Sequence, residues 1–302
     1  MKALLVYNAF SGLNNKVSKN IDYIISEILD VKDVIPFEST APKSIISKII
    51  SDGSNYDMIV AVGGDGTVHE VINGVMTLEK RPAVAIIPTG TCNDAARTLG
   101  MKNSIKKNLK IIKENNQASL DISHINGEYF IYALATGTLT EISYLAPRKS
   151  KSIFGKLAYY LYVLNVLKNT KSININFNSK EKQLSGEYSL FLATNTRYLA
   201  GFKLKRLKKV CLNDGKLQIV LIKNTIKLFD IIKIGSLLAF GEVKSKSIIA
   251  FDSSDLEITS NDELDYNFDG ELLSHKNKIH VNVIHNAINV VADKKTIKKY
   301  FN

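Results

Sequence analysis

The stretch that decides the fold runs from Ile59 to Val75 and reads Ile59-Val60-Ala61-Val62-Gly63-Gly64-Asp65-Gly66-Thr67-Val68-His69-Glu70-Val71-Ile72-Asn73-Gly74-Val75. Its first four residues are apolar and end at a pair of glycines, which favours a buried strand of a parallel sheet. Beyond the glycines, apolar residues recur at i, i+3, i+4 and i+7, which predicts a helix with one apolar face. The glycine-rich turn therefore lies at the carboxyl end of a strand, where open α/β sheets bind their ligands.

The turn has the composition of a phosphate-binding loop. Gly63, Gly64 and Gly66 lack a Cβ, so their amides can come close to a phosphate, and Thr67 is expected to cap the helix that follows. We expect Asp65 to hold a metal ion, or its water shell, beside that phosphate. The simpler alternative is a tight turn in which Asp65 is a capping residue. The spacing matches neither the dinucleotide fingerprint nor the Walker loop, because no Gly-Lys-Ser/Thr follows.

A second loop of this kind follows the next apolar strand, which is predicted from Ala83 to Ile87. Strand and helix patterns alternate up to this point, which indicates a doubly wound parallel sheet. Loops at the ends of two successive strands of such a sheet can face one crevice. The alternative is that the polar residues of this loop only form a helix N-cap. The loop offers short hydrogen-bonding groups, a carboxylate and a cation at Thr91, Asn93, Asp94 and Arg97.

Both loops resemble signatures of the diacylglycerol kinase catalytic-domain family, which includes bacterial lipid kinases and sphingosine kinases. The first signature is Gly63-Gly64-Asp65-Gly66-Thr67 with Glu70 and Asn73, and the second is Pro88 to Arg97. The loop from Asn8 to Gly12 resembles the family's Asn-Pro-x-Ser-Gly loop, with alanine in place of the proline. NAD kinases and phosphofructokinases share the Gly-Gly-Asp-Gly core, so the core alone indicates a superfamily. The resemblance implies that ATP contacts Asn8, Ser11, Thr40, Gly63, Gly64, Asp65, Gly66, Thr67, Val68, His69, Glu70, Thr91, Asn93 and Arg97.

After about residue 120 the pattern changes to alternating strands, which predicts a mainly antiparallel β-sandwich as a second domain. Helical patterns from Phe154 to Lys168 and from Thr225 to Phe240 interrupt it. By resemblance, a terminal helix from Lys294 to Tyr300 packs back on the first domain. We therefore predict an α/β nucleotide-binding domain at 1–122 plus 287–302, and a β-rich lipid-substrate domain at 123–286. The strands are predicted at 129–135, 172–177, 187–193, 216–222, 256–259 and 278–284.

The second domain contains a turn, Leu212 to Leu217, that resembles the family's Leu-x-Asp-Gly-x-Leu turn. The resemblance implies a structural magnesium ion held by the carboxylate of Asp214 and by the backbone carbonyls of Cys211 and Lys216. A hard cation prefers such oxygen ligands. A plain Asp-Gly hairpin without a metal is the alternative.

Two carboxylates separated by one glycine, Asp269 and Glu271, follow another alternating stretch. Like charges this close are expected to raise one pKa and so provide a proton acceptor. The resemblance implies that Glu271 is this acceptor, that Asp269 assists it, and that a catalytic Mg²⁺ lies among Asp65, Asp94 and Asp269. An ordinary surface turn is the alternative reading of these residues.

The chain has a net charge of +11 at pH 7, which implies attraction to an anionic partner. We expect a membrane surface rather than nucleic acid, because no clustered aromatic RNA-binding motif is present. Basic stretches at 148–151 and 203–209 suggest where an anionic bilayer would bind, although a lysine-rich composition could also produce them. No apolar run is long enough to span a bilayer, and the two cysteines have no metal-ligand spacing, so we expect a cytoplasmic protein.

The sequence thus predicts an ATP- and Mg²⁺-dependent lipid kinase that converts diacylglycerol to phosphatidate at the membrane surface. Sphingosine or another lipid alcohol, and less favourably NAD, are the alternative acceptors. A basic nucleotide-binding or nucleic-acid-binding module without catalysis is the alternative from a different class. A homodimer is left open.

Overall fold

The computed structural model describes residues 1–8, 20–28, 33–137, 172–199, 202–203, 210–224 and 247–302. The helices are α1 (Ile21–Ile28), α2 (Ser44–Asp52), α3 (Asp65–Met76), α4 (Asp94–Thr98), α5 (Ile105–Glu114) and α6 (Lys294–Tyr300). The first seven strands are β1 (Lys2–Tyr7), β2 (Asp33–Glu38), β3 (Met58–Gly63), β4 (Ala83–Pro88), β5 (Gln117–Ile125), β6 (Glu128–Phe130) and β7 (Ala133–Gly137). The others are β8 (Ile173–Ser179), β9 (Gln183–Thr194), β10 (Tyr198–Leu199), β11 (Phe202–Lys203), β12 (Leu217–Lys223), β13 (Ile248–Ser253), β14 (Asp255–Phe268) and β15 (Glu271–Val291).

The N-terminal half contains a parallel sheet in the order β4-β3-β1-β2. All six residues of β3 are buried, as the unbroken apolar run predicts for a central strand. The chain runs from β1 outward to β2 and then returns to the other side of β1 to form β3. The strand order therefore reverses between β1 and β3, and ligands of such sheets bind at this switch point. Asn8 follows β1 here, and the glycine loop follows β3.

The C-terminal half is mainly antiparallel, which confirms the predicted fold class. β9 and β14 are long, and each pairs with β8 through one segment and with β7 through another. These two long strands therefore join β7 and β8 into one hydrogen-bonded sheet of this half. Its core is rich in aromatic side chains from facing strands, including Phe130, Phe177, Phe191, Tyr266 and Phe268.

β15 connects the two halves. It pairs with β14 and β5 in antiparallel fashion and with β4 in parallel at Val290–Val84, so the hydrogen-bonded sheet is continuous. The predicted domain limits at 122 and 287 fall inside β5 and β15. The division of the chain at those residues stays a prediction.

Several elements differ from the sequence-based prediction. The single strand predicted at 129–135 is two strands, β6 and β7, because the amides of Ile131 and Tyr132 between them donate to a buried carboxylate instead of to a neighbouring strand. β14 and β15 are much longer than predicted, and α5 was not predicted. The helices predicted at 154–168 and 225–240 lie outside the described residues.

α6 forms as predicted and packs on the first half. Its N-cap is Asp293, whose side chain accepts from the amides of Lys295 and Thr296. The Asp293 amide donates to Leu99 O at 3.1 Å. Among the helices of the described ranges, none is both long enough and apolar enough to cross a membrane.

Candidate active site

The glycine loop after β3 leads directly into α3. Gly64 is the N-cap residue, and no side chain caps the helix. The prediction that Thr67 caps α3 was therefore wrong: Thr67 is already the third helical residue, and its side chain packs against Gly63. No side chain can replace the hydrogen at Gly63, because a Cβ there would collide with Thr67. The first-turn amides of α3 are thus left without a side-chain cap, which is the arrangement that binds phosphate.

The two loops predicted to share a crevice are in backbone contact. A Cβ on Gly90 would collide with Cα of Gly64 at 2.6 Å, so position 90 must be glycine, whereas a Cβ on Gly64 would lie 3.3 Å from Cα of Gly90, a tight contact. The amide of Thr89 donates to Gly63 O at 2.9 Å. Asn93 adopts a left-handed conformation (φ 53°), and both ends of its side-chain amide bind the backbone of Gly90, at 3.0 and 2.7 Å. The structure therefore gives Asn93 a loop-shaping role, and its predicted contact with ATP stays a prediction.

Asp65 links the first loop to the helix of the second. Its Oδ1 accepts from the amide of Ala95, the second residue of α4, at 3.3 Å. Burial raises the pKa of Asp65, and the amides of α4 together with the charge of Arg97 oppose that rise. Asp65 therefore does not cap its own helix, α3, as the capping alternative supposed, and it accepts instead from an amide in the first turn of α4. Asp94 begins α4 and is buried.

Asp269 is the first residue of the turn between β14 and β15, and its side chain is buried. Its Oδ2 accepts from the amide of Ile131 at 2.6 Å, and its Oδ1 accepts from Tyr132 and Ala133 at 3.0 and 3.1 Å. Burial raises its pKa to about 7; the three amides oppose the rise, and the charge of Asp65 adds to it. The cause expected from the sequence, repulsion from Glu271, is therefore corrected to burial with a contribution from Asp65.

Tyr132 was missed by the sequence analysis. Its hydroxyl donates to Asp269 O at 3.0 Å. Burial and the nearby charges of Asp65, Asp269 and Asp94 raise its pKa. The Tyr132 hydroxyl is therefore bonded to the backbone of Asp269, and the charges of all three predicted carboxylates act on it. No local pattern distinguishes Tyr132 from the other tyrosines.

Glu271 is exposed and lies against the glycine loop from the opposite half of the molecule. A Cβ on Gly66 would lie 3.9 Å from Oε1 of Glu271. Both residues line a cavity of about 760 Å³. The structure therefore brings together the predicted phosphate loop and the predicted proton acceptor, which are more than 200 residues apart in sequence. The cavity is lined by Asn8, Ser39, Pro42, Lys43, Ile45, Ile46, Gly64, Gly66, Thr67, His69, Glu70, Asn73, Thr77, Gly127, Glu128, Tyr129, Phe268, Glu271 and Leu272.

The polar residues of α3 that face this cavity are held by neighbouring elements. Glu70 Oε2 accepts from the amide of Ile45 at 3.3 Å and so fixes the start of α2. Asn73 binds both the amide and the carbonyl of Tyr129, at 3.0 and 2.9 Å, which fastens α3 to β6. Burial, and to a lesser extent the charge of Lys43, lowers the pKa of His69 to about 4. His69 is therefore neutral, and its Nδ1 is buried without a hydrogen-bond partner.

Several residues predicted to contact ATP are not among those that line the cavity. Thr40 and Thr91 are exposed and are not among the cavity-lining residues. Ser39, next to Thr40, does line the cavity and was not predicted. Ser11 and the basic stretches at 148–151 and 204–209 lie outside the described residues. The ATP contacts assigned to Thr40 and Thr91, and to all the other residues of the predicted set, stay predictions.

The turn at 211–217 is held by a buried carboxylate that the sequence analysis missed. Asp121 accepts from the amides of Gly215 and Asn286, at 2.6 and 2.8 Å. Asp214 Oδ1 accepts from the amide of Lys216 at 3.2 Å, and burial raises the pKa of Asp214. Across the described ranges, no group of three or more histidine, cysteine, aspartate or glutamate side chains could hold a metal ion.

Sequence and structure comparisons identify the relatives of this chain. The family model "Diacylglycerol kinase catalytic domain" matches residues 2–125. The chain is 34% identical to a diacylglycerol kinase of Bacillus subtilis (strain 168) over 72% of this chain and 71% of the relative. It is also 34% identical to a diacylglycerol kinase of Staphylococcus saprophyticus over 75% of this chain and 77% of the relative.

Solved structures agree with this relationship. A Bacillus anthracis str. Sterne protein assigned by name to the diacylglycerol kinases superposes with a TM-score of 0.86 at 26% identity, covering 98% of this chain and 96% of that one. An NAD kinase from Archaeoglobus fulgidus superposes with a TM-score of 0.53 at 12% identity, over 99% of this chain and 96% of that one, which indicates a shared fold alone. The chain thus belongs to the diacylglycerol kinase catalytic-domain family.

Proposed function

We propose that this protein is an ATP-dependent lipid kinase that transfers the γ-phosphate of ATP to the hydroxyl of diacylglycerol, giving phosphatidate. Membership of the family supports the reaction class. The observation that carries the proposal is the position of Glu271, whose carboxylate lies beside Gly66 at the start of α3. A phosphate-binding helix terminus and a carboxylate that can accept a proton are what transfer to a hydroxyl requires.

ATP binds with its phosphates at the uncapped start of α3. The first-turn amides and the positive end of the helix dipole favour an anion there. Gly64 and Gly90 keep the two loops in contact, so that a phosphate can approach the backbone without meeting a side chain. Phosphoryl transfer depends mainly on alignment and on neutralised charge, so a rigid cradle of this kind contributes directly to the rate.

Glu271 takes the proton from the lipid hydroxyl as that oxygen attacks the γ-phosphorus. Its exposed position on the cavity wall leaves the carboxylate accessible to an incoming acceptor. Asp269 lies two residues before Glu271 in the sequence. Its bonds to three amides anchor the turn between β14 and β15 to the connection between β6 and β7. In this proposal Asp269 is a positioning residue, and Glu271 is the catalytic base.

A Mg²⁺ ion would accompany the phosphates of ATP. Asp269 does not fit as a ligand, because both of its oxygens accept backbone amides. Asp65 and Asp94 would hold the ion or its water shell, since kinase sites typically supply one or two carboxylates while the phosphates supply further oxygens. The ion would neutralise charge on the phosphates. A separate structural Mg²⁺ at Asp214 and the carbonyls of Cys211 and Lys216 is part of the same proposal.

The lipid acceptor requires docking on a membrane, and the basic stretches at 148–151 and 203–209 are proposed to provide it. Each cation near an anionic leaflet contributes about 1 kcal/mol. Reversing the charges of Lys205, Arg206, Lys208 and Lys209 should weaken sedimentation with anionic vesicles and slow turnover on vesicle-borne lipid. Turnover on a short-chain, water-soluble acceptor should hardly change. Equal loss on both acceptors would remove this patch from the docking surface.

The experiment that tests the proposed reaction is incubation of the protein with radiolabelled ATP and mixed micelles that contain one acceptor at a time. The panel holds diacylglycerol, sphingosine and monoacylglycerol, with NAD tested in solution. We expect label in phosphatidate and much less in the other products. Label in none of the lipids would contradict the kinase assignment, and preferential labelling of another acceptor would replace the proposed substrate.

A further inference from the structure

Lys43 lines the cavity in an unusual backbone conformation. It precedes α2 with φ 63° and ψ 6°, in the left-handed region. A residue with a Cβ rarely adopts this region, and glycine or asparagine is favoured there. Strained conformations of this kind persist when their surroundings hold them, and they cluster at functional sites. A lysine in this conformation on the wall of the cavity is therefore a candidate for a ligand contact.

Contacts on both sides of Lys43 hold the backbone in place. On the side of α2, Glu70 accepts from the amide of Ile45 at 3.3 Å. On the side of β2, the amide of Ser39 donates to Tyr7 O at 2.7 Å, and its hydroxyl bonds that of Ser44 at 2.9 Å. The β2–α2 loop is thus fixed to both β1 and α3. This anchoring fixes the direction in which the lysine side chain leaves the backbone.

The charge of Lys43 lies near α3 and has no partner among the described acidic side chains. It contributes to the lowered pKa of His69, which follows Gly66 by three residues and hence by about 4.5 Å along the helix axis. Lys48, on the same helix, is by contrast paired with Asp52 at 2.8 Å. Gly64, Gly66 and Lys43 line one cavity. A lysine side chain at this point can therefore reach an anion bound at the start of α3.

We propose that Lys43 is a phosphate-binding residue, whose ammonium pairs with a phosphate oxygen of the nucleotide held at the start of α3. The inference rests on the proposed use of this cavity by ATP. In the Walker loop a lysine follows the last glycine and reaches the phosphates, whereas here Thr67 occupies that place. Lys43 supplies the missing cation from the loop before α2. Its ammonium is a compact charge and, unlike the planar guanidinium of arginine, does not require a fixed orientation toward the phosphate.

The test separates ligand binding from folding, because one substitution should lower the affinity for ATP and raise the melting temperature of the protein. Lys43→Gly removes the cation and relieves the left-handed conformation. We expect the melting temperature without nucleotide to rise by a few degrees, because the strain is lost. We expect affinity for ATP and ADP, measured by titration calorimetry, to fall about 10- to 100-fold, the loss typical of one charged hydrogen bond. Affinity for adenosine, which lacks phosphate, should not change.

Lys43→Asn provides a second variant, since asparagine tolerates this conformation without a charge. Lys48→Met serves as a control for loss of a cation on α2, and Asn115→Gly as a control for relief of a positive φ (47°) outside the cavity. Both controls should bind ATP as the wild type does. Wild-type affinity for ATP in both Lys43 variants would overturn the inference, and so would an equal loss for adenosine. If the wild type itself binds no ATP, the proposed function fails together with this inference.

Discussion

Replacing Asp269 by asparagine tests how the buried carboxylate at the turn between β14 and β15 behaves. The substitution keeps the shape of the side chain and removes its ability to titrate. In the folded protein burial outweighs the three amide donors and raises the pKa of Asp269 to about 7, from an ordinary value of 3.8. At pH 5 the folded carboxyl therefore keeps a proton that the unfolded carboxyl has lost. Because the folded state binds more protons, this group contributes stability that declines as the pH rises from about 4 to about 7.

The size of the change in the free energy of unfolding follows from the number of pH units between pH 5 and the pKa of the folded carboxyl. Each pH unit within it is worth about 1.4 kcal/mol, so the wild type should lose about 2 to 3 kcal/mol between pH 5 and pH 8 relative to Asp269→Asn. The difference between the two proteins isolates this residue, because the other titrating groups are common to both. Urea unfolding of both proteins at four pH values from 5 to 8 provides the measurement.

A constant difference across this range would mean that Asp269 is ionised in both states, and the reasoning from burial would fail. That result would show that the three amides outweigh burial, because a folded pKa below the ordinary value of 3.8 places the whole pH dependence below pH 5. Asp269 would then remain bonded to the backbone, but its proton could take no part in pH-dependent stability near neutrality.

Three further substitutions test the loops and the Asp-Gly turn. Gly90→Ala places a Cβ 2.6 Å from Gly64 Cα, so we expect a loss of about 1–3 kcal/mol in urea unfolding together with weaker ATP binding; unchanged values would contradict the loop contact. Asp65→Ala should abolish turnover and also lower stability by about 1 kcal/mol, because the start of α4 loses its acceptor, and near-normal turnover would remove Asp65 from the site. Asp214→Ala should lower both the melting temperature and the activity. Chelation of Mg²⁺ should lower the melting temperature of the wild type and leave that of the variant unchanged. If chelation does not change the melting temperature of the wild type, the plain hairpin is favoured.

The parts of the site that the sequence predicts well are those encoded by short-range patterns. The run from Ile59 to Val75 contains its strand, its turn and its helix within one stretch, and the structure has all three. The second loop could be placed in the same crevice because parallel strands end at the same edge of the sheet. α5 was not predicted, although its apolar residues Ile105, Leu109 and Ile112 have the spacing of a helix, so the sequence does contain the signal for it.

Roles that depend on pairing between distant segments could not be predicted in this way. Asp121 binds amides that lie 94 and 165 residues further along the chain, and nothing near it in sequence indicates either partner. Tyr132 is near Asp65, Asp94 and Asp269 only because the connection between β6 and β7 packs against Asp269 in the folded protein. The same long-range contact explains why Asp269 is a buried anchor, whereas its proximity to Glu271 in sequence suggested a repelling pair.

The initial rate of phosphatidate formation by Glu271→Gln, compared with the wild type at saturating ATP and diacylglycerol, tests the central claim most directly. Glutamine keeps the size of the side chain beside Gly66 and cannot accept the proton, so kcat should fall by about 10²- to 10⁴-fold while affinity for ATP stays unchanged. Glu128→Gln, on the same cavity wall, is the matched control and should retain most of the activity. A kcat for Glu271→Gln within a few-fold of the wild type would contradict the assignment of Glu271 as the base and, with it, the proposed mechanism.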